Sequence, residues 1–538
     1  MRIIRSLPVL VMVVVVSALA GGLFGGRVLA TQDQVAEQYK SFSNALAVIE
    51  TNYVDEVDTD RLIYSAINGM LQTLDPHSSF MDPRTYSQMR ERQEGRYYGL
   101  GITIQVINGD IKVIALFEGS PAYMEGIRRG DVIAEIEGES AKGWTSDQAV
   151  RSLRGPKGSV VNIAIRRLGY DVLIPLEVMR DEINIQTILG AFMVGESTGY
   201  IRLRDFSETT DRDLGVALEK LATQGMQQLL LDLRDNPGGP LDQAIRVANR
   251  FLPRGDMIVY TRGRVQNADQ DYYAREDSDF ADLTLIVLVN RNSASASEIV
   301  AGAIQDHDRG LIVGETTFGK ALVQSIYQVS QGAGLALTTA RYYTPSGRLI
   351  QRPWDGTFDE YLNYSLQDQE RERDHSITDL KYTDSGRHVY SGGGIEPDRF
   401  MAGPFEGFDP TPMGRRLFTR QAFSDYAQRY SASGDTRITE QGQDRINVDR
   451  DFKVTDEMLS DFMDFVTQRR IAIDDEELVK DEAFVRAMIR YYIDLDLFGV
   501  GDARRHLVEI DPQATFAMSL FADAEALTQL SVEGQPIH

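Results

Sequence analysis

Two short apolar runs constrain this chain more than any other feature. Leu229-Leu230-Leu231-Asp232-Leu233 is followed by the turn Asp235-Asn236-Pro237-Gly238-Gly239. Apolar residues then recur at helical spacing, at Leu241, Ala244, Ile245, Ala248 and Phe251. Leu285-Ile286-Val287-Leu288-Val289 repeats the pattern: polar Asn290-Arg291-Asn292, small residues, then Ile299, Val300, Ala303 and Ile304. Leu311-Ile312-Val313 supplies a further buried strand. Strand, turn and helix in this order predict an α/β core, with Ser295 near a helix N-terminus. Free backbone N–H groups and the helix dipole there favour a developing oxyanion.

The chemistry suggested by these residues is a serine activated by a lysine. Ser295 lies in Ser293-Ala294-Ser295-Ala296-Ser297, and Lys320 follows in Phe318-Gly319-Lys320, with Gln324 beyond it. If the stretch after Gly319 is extended, Lys320, Leu322 and Gln324 share a face, so Gln324 can orient the lysine or bind substrate. The chain has six histidines and no cysteine, and none of those histidines sits in a comparable setting. The residues alone also allow a plainer reading, in which small serines ease helix packing and Lys320 is a surface charge. For the turn Asp235–Gly239, a phosphate cradle is the competing function, but its glycine spacing fits neither common nucleotide-binding pattern.

The stretches VNRNSASASEIVAGAIQDHDRGLIVGETTFGKALVQ and LLLDLRDNPGGPLDQAIRVANRFL resemble the C-terminal processing (tail-specific) proteases, and the resemblance runs from about Phe42 to about Asp398. It implies that Ser295 is the nucleophile, Lys320 the general base and Gln324 its supporting residue. One departure is Asn292, where many members have glycine. A lysine with its ordinary pKa of about 10.4 is a poor base at neutral pH, so the site must desolvate it; Phe318, Leu322 and Val323 supply apolar surroundings. The amide of Ala296 is one candidate oxyanion donor. The resemblance implies a second donor from Gly238 or Gly239, with the choice between them open.

The implied architecture is multidomain α+β, with a crotonase/tail-protease-like α/β core, a small β-rich PDZ domain and helical segments at both ends. The expected divisions are 1–30, signal peptide or membrane anchor; 31–94, helical; 95–180, PDZ; 181–403, protease core with an exposed insertion at 352–393; and 404–538, helical. Gly99-Leu100-Gly101-Ile102 would be the PDZ loop that binds a peptide's terminal carboxylate through backbone N–H groups. Thr145–Leu153 would be the helix lining the groove. Tyr39, Phe42, Leu46, Ile49 and Tyr53 mark one amphipathic helix and Asp60–Leu74 a second, stopped at Pro76. His77 belongs to that segment and reads as structural. Phe516, Leu520, Ala524 and Leu527 predict one last amphipathic helix.

Arg2 and Arg5 before the uncharged run Leu7–Phe24 predict export, the run being either cleaved or kept as an inner-membrane anchor. The body of the protein is then expected in the periplasm or another extracytoplasmic space. A net charge of −24, from 80 acidic and 56 basic residues, argues against nucleic acid as a partner. The expected partners are protein or peptide C-termini; an adaptor protein and a homo-oligomer remain open. No cofactor or metal is expected, and Asp474-Asp475-Glu476-Glu477 reads as a solvated helix start. The resulting expectation is an exported serine endopeptidase that works from substrate C-termini. The alternative is a catalytically silent PDZ scaffold that binds tails.

Overall fold

The computed structural model describes residues 36–277, 280–329, 332–354, 360–361, 376–434 and 448–533. The segment expected to direct export, His375 and much of the 352–393 insertion lie outside these. Among the described residues no helix is long and apolar enough to cross a membrane. The chain divides into two compact units, residues 1–82 and 83–538.

The first unit holds a helix over 36–52, whose Tyr39, Phe42, Ile49 and neighbouring Tyr53 are exposed, and a second helix, Thr59–Gln72. Asp58 caps the second by accepting the Arg61 amide at 3.1 Å. This helix closes at Thr73, earlier than expected. Asp75 then organises the turn by accepting the amides of His77 (2.8 Å) and Ser78 (2.7 Å).

In the second unit the PDZ region is an antiparallel sheet. Its strands Ile102–Ile107, Asp110–Leu116, Val132–Ile136, Val160–Arg166 and Ile174–Met179 are neighbours in that order. The helix Ser146–Leu153 lies against it, with Thr145 and Gln148 forming a reciprocal N-terminal cap.

The core sheet runs β1 (Ile188–Val194), β2 (Thr198–Leu203), β3 (Gln228–Asp232), β6 (Thr284–Val289), β7 (Leu311–Gly314) and β10 (Arg399–Phe400). Only β1–β2 is antiparallel; the other neighbours are parallel. Helix α1 (Leu241–Asn249) follows β3, and α2 (Ala296–Asp306) follows β6. The continuous apolar runs now have a physical reason. Leu229, Leu231, Leu285, Val287 and Val289 face a core that includes α1 and α2. Leu230, Ile286 and Leu288 face a second core on the opposite side, with Phe521, Ala524 and Leu527. A parallel sheet covered on both faces requires apolar residues at every position.

A second sheet is antiparallel: β9 (Gly334–Tyr343) pairs with β8 (Leu322–Gln328) and with β4 (Met257–Gly263), which pairs with β5 (Gln270–Tyr273).

Beyond Pro404 the chain does two things. Phe408, Phe423, Phe462, Phe484 and Met488 join a separate helical core, which includes α3 (Ala422–Gly434) and α4 (Asp475–Leu497). Then α5 (Val500–Ile510), α6 (Pro512–Met518) and α7 (Phe521–Glu533) return to cover the parallel core sheet. The expected single last helix is therefore two, because Ser519 and Leu520 break it. Asp474 caps α4 by accepting the Glu476 and Glu477 amides. The 352–393 insertion is not simply exposed. Arg352 is fully buried, and the hairpin Leu380–Tyr382/His388–Tyr390 is tied to the end of α2 through His307–Asp384 (2.7 Å) and Asp308–Arg387 (2.6 Å).

Candidate active site

The three serines of the Ser293–Ser297 segment meet different fates. Ser293 Oγ donates to the Leu233 carbonyl at 2.8 Å and accepts the Asn290 amide at 2.9 Å. Ser297 Oγ donates to the Asn236 carbonyl at 3.0 Å. Both are fully buried and stitch this segment to the turn after β3. Ser295 alone of the three is half-buried. It is the N-cap of α2 at φ +54°, a conformation that costs a non-glycine residue on the order of 1–3 kcal/mol and must be held by its surroundings.

Much of that hold comes from Glu298. Its fully buried carboxylate accepts the Ser295 amide (2.8 Å), the Gly319 amide (2.6 Å), the Lys320 amide (2.9 Å) and the Thr317 hydroxyl (2.6 Å). Burial pushes this carboxyl up from its ordinary range, and the four donors oppose that. Each oxygen accepts two donors, which is the bonding of an ionised carboxylate. One side chain thus fixes the main chain of both Ser295 and Lys320. Tyr342 on β9 adds a second tie: its hydroxyl lies 2.6 Å from the Lys320 carbonyl and 3.2 Å from the Ser295 carbonyl. Burial, then the nearby Glu298, raise the Tyr342 pKa well above normal, so it remains a phenol donor.

Lys320 does not lie in a strand; it sits in the loop that runs through Ala321 to β8. Its Nζ nevertheless donates to Gln324 Oε1 at 3.0 Å, so the expected contact forms across the start of β8 despite a bulge between Val323 and Gln324.

The Asp235–Gly239 turn packs directly on this assembly. A Cβ on Gly238 would come within 2.9 Å of Ser295 Cβ and 2.8 Å of the Ala296 nitrogen, and Gly238 is at φ +92°. A Cβ on Gly239 would meet the Phe206 carbonyl at 2.1 Å, so both positions exclude side chains. Their amides differ. Gly238 N–H donates to Asn236 Oδ1 at 2.9 Å. The amides of Gly239 and Ala296 donate to no group among the described residues, and Gly239 is exposed. Asn292, the departure from the family pattern, donates to Asp235 Oδ1 at 2.9 Å and so adds a tie between the two turns.

In the PDZ region, Leu100 and Ile102 line a groove of about 330 Å³ together with Ile104, Val150, Leu153 and Arg154, whereas Gly99 and Gly101 of the same loop do not line it. Gly101 is at φ +80°, and a Cβ there would meet Ser120 Cβ at 2.2 Å. Arg154 pairs with Glu91 at 2.6 Å and covers the Tyr97 ring at 4.7 Å.

Sequence reasoning missed Glu298, Tyr342, Asn236 and Arg154. Glu298 carried a readable signal, an acid three residues into a helix after a serine N-cap. Tyr342 carried none, since a tyrosine on a strand reads as core.

A model of peptidase family S41 matches residues 197–357, one of the PDZ domain residues 88–166, and one of the activating protease CtpB N-terminal domain residues 27–85. The "Carboxy-terminal-processing protease" of Bartonella bacilliformis is 43% identical over 323 residues, covering 59% of this chain and 73% of the relative. The "Carboxy-terminal processing protease CtpA" of Bacillus subtilis is 33% identical over 348 residues, covering 64% and 74%. Among solved structures, a photosystem II D1 C-terminal processing protease is 28% identical, covering 67% of this chain and 92% of the other, with a TM-score of 0.34 that is too low to bear on the fold. By its sequence kinship this chain belongs to peptidase family S41, among the serine-type carboxy-terminal processing proteases.

Proposed function

We propose that the protein is an exported endopeptidase that reads substrate C-termini with its PDZ domain and cleaves by Ser295/Lys320 chemistry. The observation that carries this reading is the shared anchoring of Ser295 and Lys320 on Glu298, with Lys320 Nζ turned to Gln324. Ser295 Oγ attacks the substrate carbonyl while its proton passes to the uncharged Lys320 amine. The oxyanion is held by the free amides of Ala296 and Gly239; the amide of Gly238 is already engaged by Asn236. Lys320 then protonates the departing amine, leaving an acyl-enzyme on Ser295. Water attacks the ester with Lys320 again as base, releasing the acid and restoring the serine. Gln324 orients the amine between these transfers.

Tail recognition rests on the apolar groove beside Leu100–Ile102 and on Arg154, a cation suited to a terminal carboxylate. Export rests on Arg2, Arg5 and the Leu7–Phe24 run, which puts the body in the periplasm, with that run as leader or inner-membrane anchor.

The test is degradation of a disordered protein with a free or an amidated apolar C-terminus. The parent should cut the free-ended substrate faster, and Ser295→Ala and Lys320→Ala should each lose about 10³-fold or more in kcat. Unchanged cleavage by either variant removes the dyad, and equal rates on both substrates remove the tail reader.

A further inference from the structure

The chain beyond Pro404 touches the PDZ region on one side and, through Glu406 and Arg202, reaches the Asp235–Gly239 turn on the other. On the PDZ side, Arg129 Nη1 pairs with Asp496 of α4 at 2.9 Å, and its Nη2 donates to Ser424 of α3 at 2.7 Å. The same guanidinium lies 5.0 Å from the centre of the Tyr492 ring. Lys112 pairs with Asp425 at 3.6 Å. All four partners belong to α3 or α4.

On the core side, the preceding residue of α4, Tyr491, lies edge-on to Tyr492 and beneath the Arg504 guanidinium, at 5.3 and 5.1 Å between centres. Arg504 pairs with Glu406, and Glu406 lies 3.6 Å from Arg202 Nη1. Arg202, almost wholly buried, reaches Asp232 at 3.2 Å and Asp235 at 3.1 Å. Asp235 opens the glycine turn and receives Asn290 and Asn292 from the Ser295 segment. Burial disfavours the charge on Glu406, but Arg504 and Arg202 hold its carboxyl down at about 2. Glu406 itself is 17% exposed, but its partners Arg202 and Arg504 are 5% and 9% exposed, so loss of its charge strands positive charge in a low-dielectric setting.

We infer that Glu406 is a positioning residue for the reaction, holding the Asp235–Gly239 turn through Arg202, and that α4 and α5, which pack on it through Arg504, couple this turn to the seating of the PDZ domain at Arg129. The contacts form one continuous packed chain with charged links at both ends, a physical network able to carry coupling between distant sites. The functional half of the inference rests on the proposed use of that turn by Ser295. The structural half does not.

The experiment compares full-length parent, Glu406→Gln, Glu406→Asp and Arg129→Ala by hydrogen–deuterium exchange and by kcat and KM on a short peptide without a recognisable tail. Glu406→Gln should raise exchange of residues 234–240 several-fold and lower kcat about tenfold with KM unchanged. Glu406→Asp keeps the charge, and therefore the fold, and should recover most of the loss. Arg129→Ala, which touches no residue of the turn, should also raise exchange at 234–240, while residues 284–289 keep their protection. Unchanged exchange at 234–240 in both Glu406 variants, or in Arg129→Ala, overturns the inference. A parent without peptidase activity but with the predicted exchange changes would sink the dyad and leave the coupling supported.

Discussion

The site around Ser295 and the PDZ groove are built in opposite ways. Around Ser295 the decisive contacts run from buried side chains to main chain: Glu298 to three amides, Tyr342 to two carbonyls, and Ser297 to the Asn236 carbonyl. At the groove they run between partly exposed side chains, as in Arg154–Glu91 and Arg154 over Tyr97. A reaction needs atoms held to fractions of an ångström, and backbone anchoring supplies that. A reader of varied tails needs a surface that can adjust. The two regions should therefore respond differently to equally small changes.

The largest effect is expected at Glu298. Glu298→Gln leaves the shape but places an N–H where an acceptor is required, so at least one buried amide or hydroxyl loses its partner. That costs about 1–3 kcal/mol. Steady-state kinetics should show kcat lower by on the order of 100-fold, with binding of a tail peptide to the PDZ groove unchanged. A comparable loss of tail binding would erase the distinction between the regions.

Gly101→Ala tests the other side. The added Cβ meets Ser120, and φ is +80°, so strain of about 1–3 kcal/mol falls on the loop. Tail-peptide affinity, read by calorimetry, should fall about tenfold, while kcat on a tail-less peptide stays at the parent value. Tyr342→Phe is the milder cut at the reaction site. It deletes one hydroxyl from an otherwise intact ring, a loss of about 1 kcal/mol, and kcat should fall about fivefold with KM and thermal midpoint little changed.

How much of this was legible in the sequence follows the same division. Leu285–Val289 and Leu229–Leu233 announced buried strands because both faces of the sheet are covered. Ser295, Lys320 and Gln324 stood out through family resemblance, whereas the buried, hydrogen-bonded roles of Ser293 and Ser297 were visible only in the structure. The Gly238 amide is engaged by the Asn236 side chain, a contact that no local pattern encodes. Tyr342 and Arg154 depend on chain segments far apart in sequence. The helices on either side of Ser519–Leu520 looked like one stripe because helical spacing persists across a two-residue break.

The smallest effect sharpens a boundary case, the insertion hairpin docked on α2. His307 donates from Nε2 to the Met257 carbonyl at 2.7 Å and faces Asp384 with Nδ1. Burial would lower its pKa, but these acceptors prevail and lift it from 6.5 to about 9. A raised histidine pKa contributes stability that is complete below about 6.5 and is lost as pH climbs through about 9. Because Asp384 is largely exposed, the contribution is discounted to about 1 kcal/mol. His307→Gln should therefore lower the thermal midpoint most at pH 6 and hardly at all at pH 10. A difference independent of pH would show that packing, not charge, holds the hairpin.

The central claim, a serine activated by a lysine, is tested most directly by mapping where a fluorophosphonate forms a covalent adduct. The parent should carry a single adduct on the peptide containing Ser295, and Lys320→Ala should carry none under the same conditions. An adduct on any other residue, or undiminished labelling of Ser295 in Lys320→Ala, would contradict it.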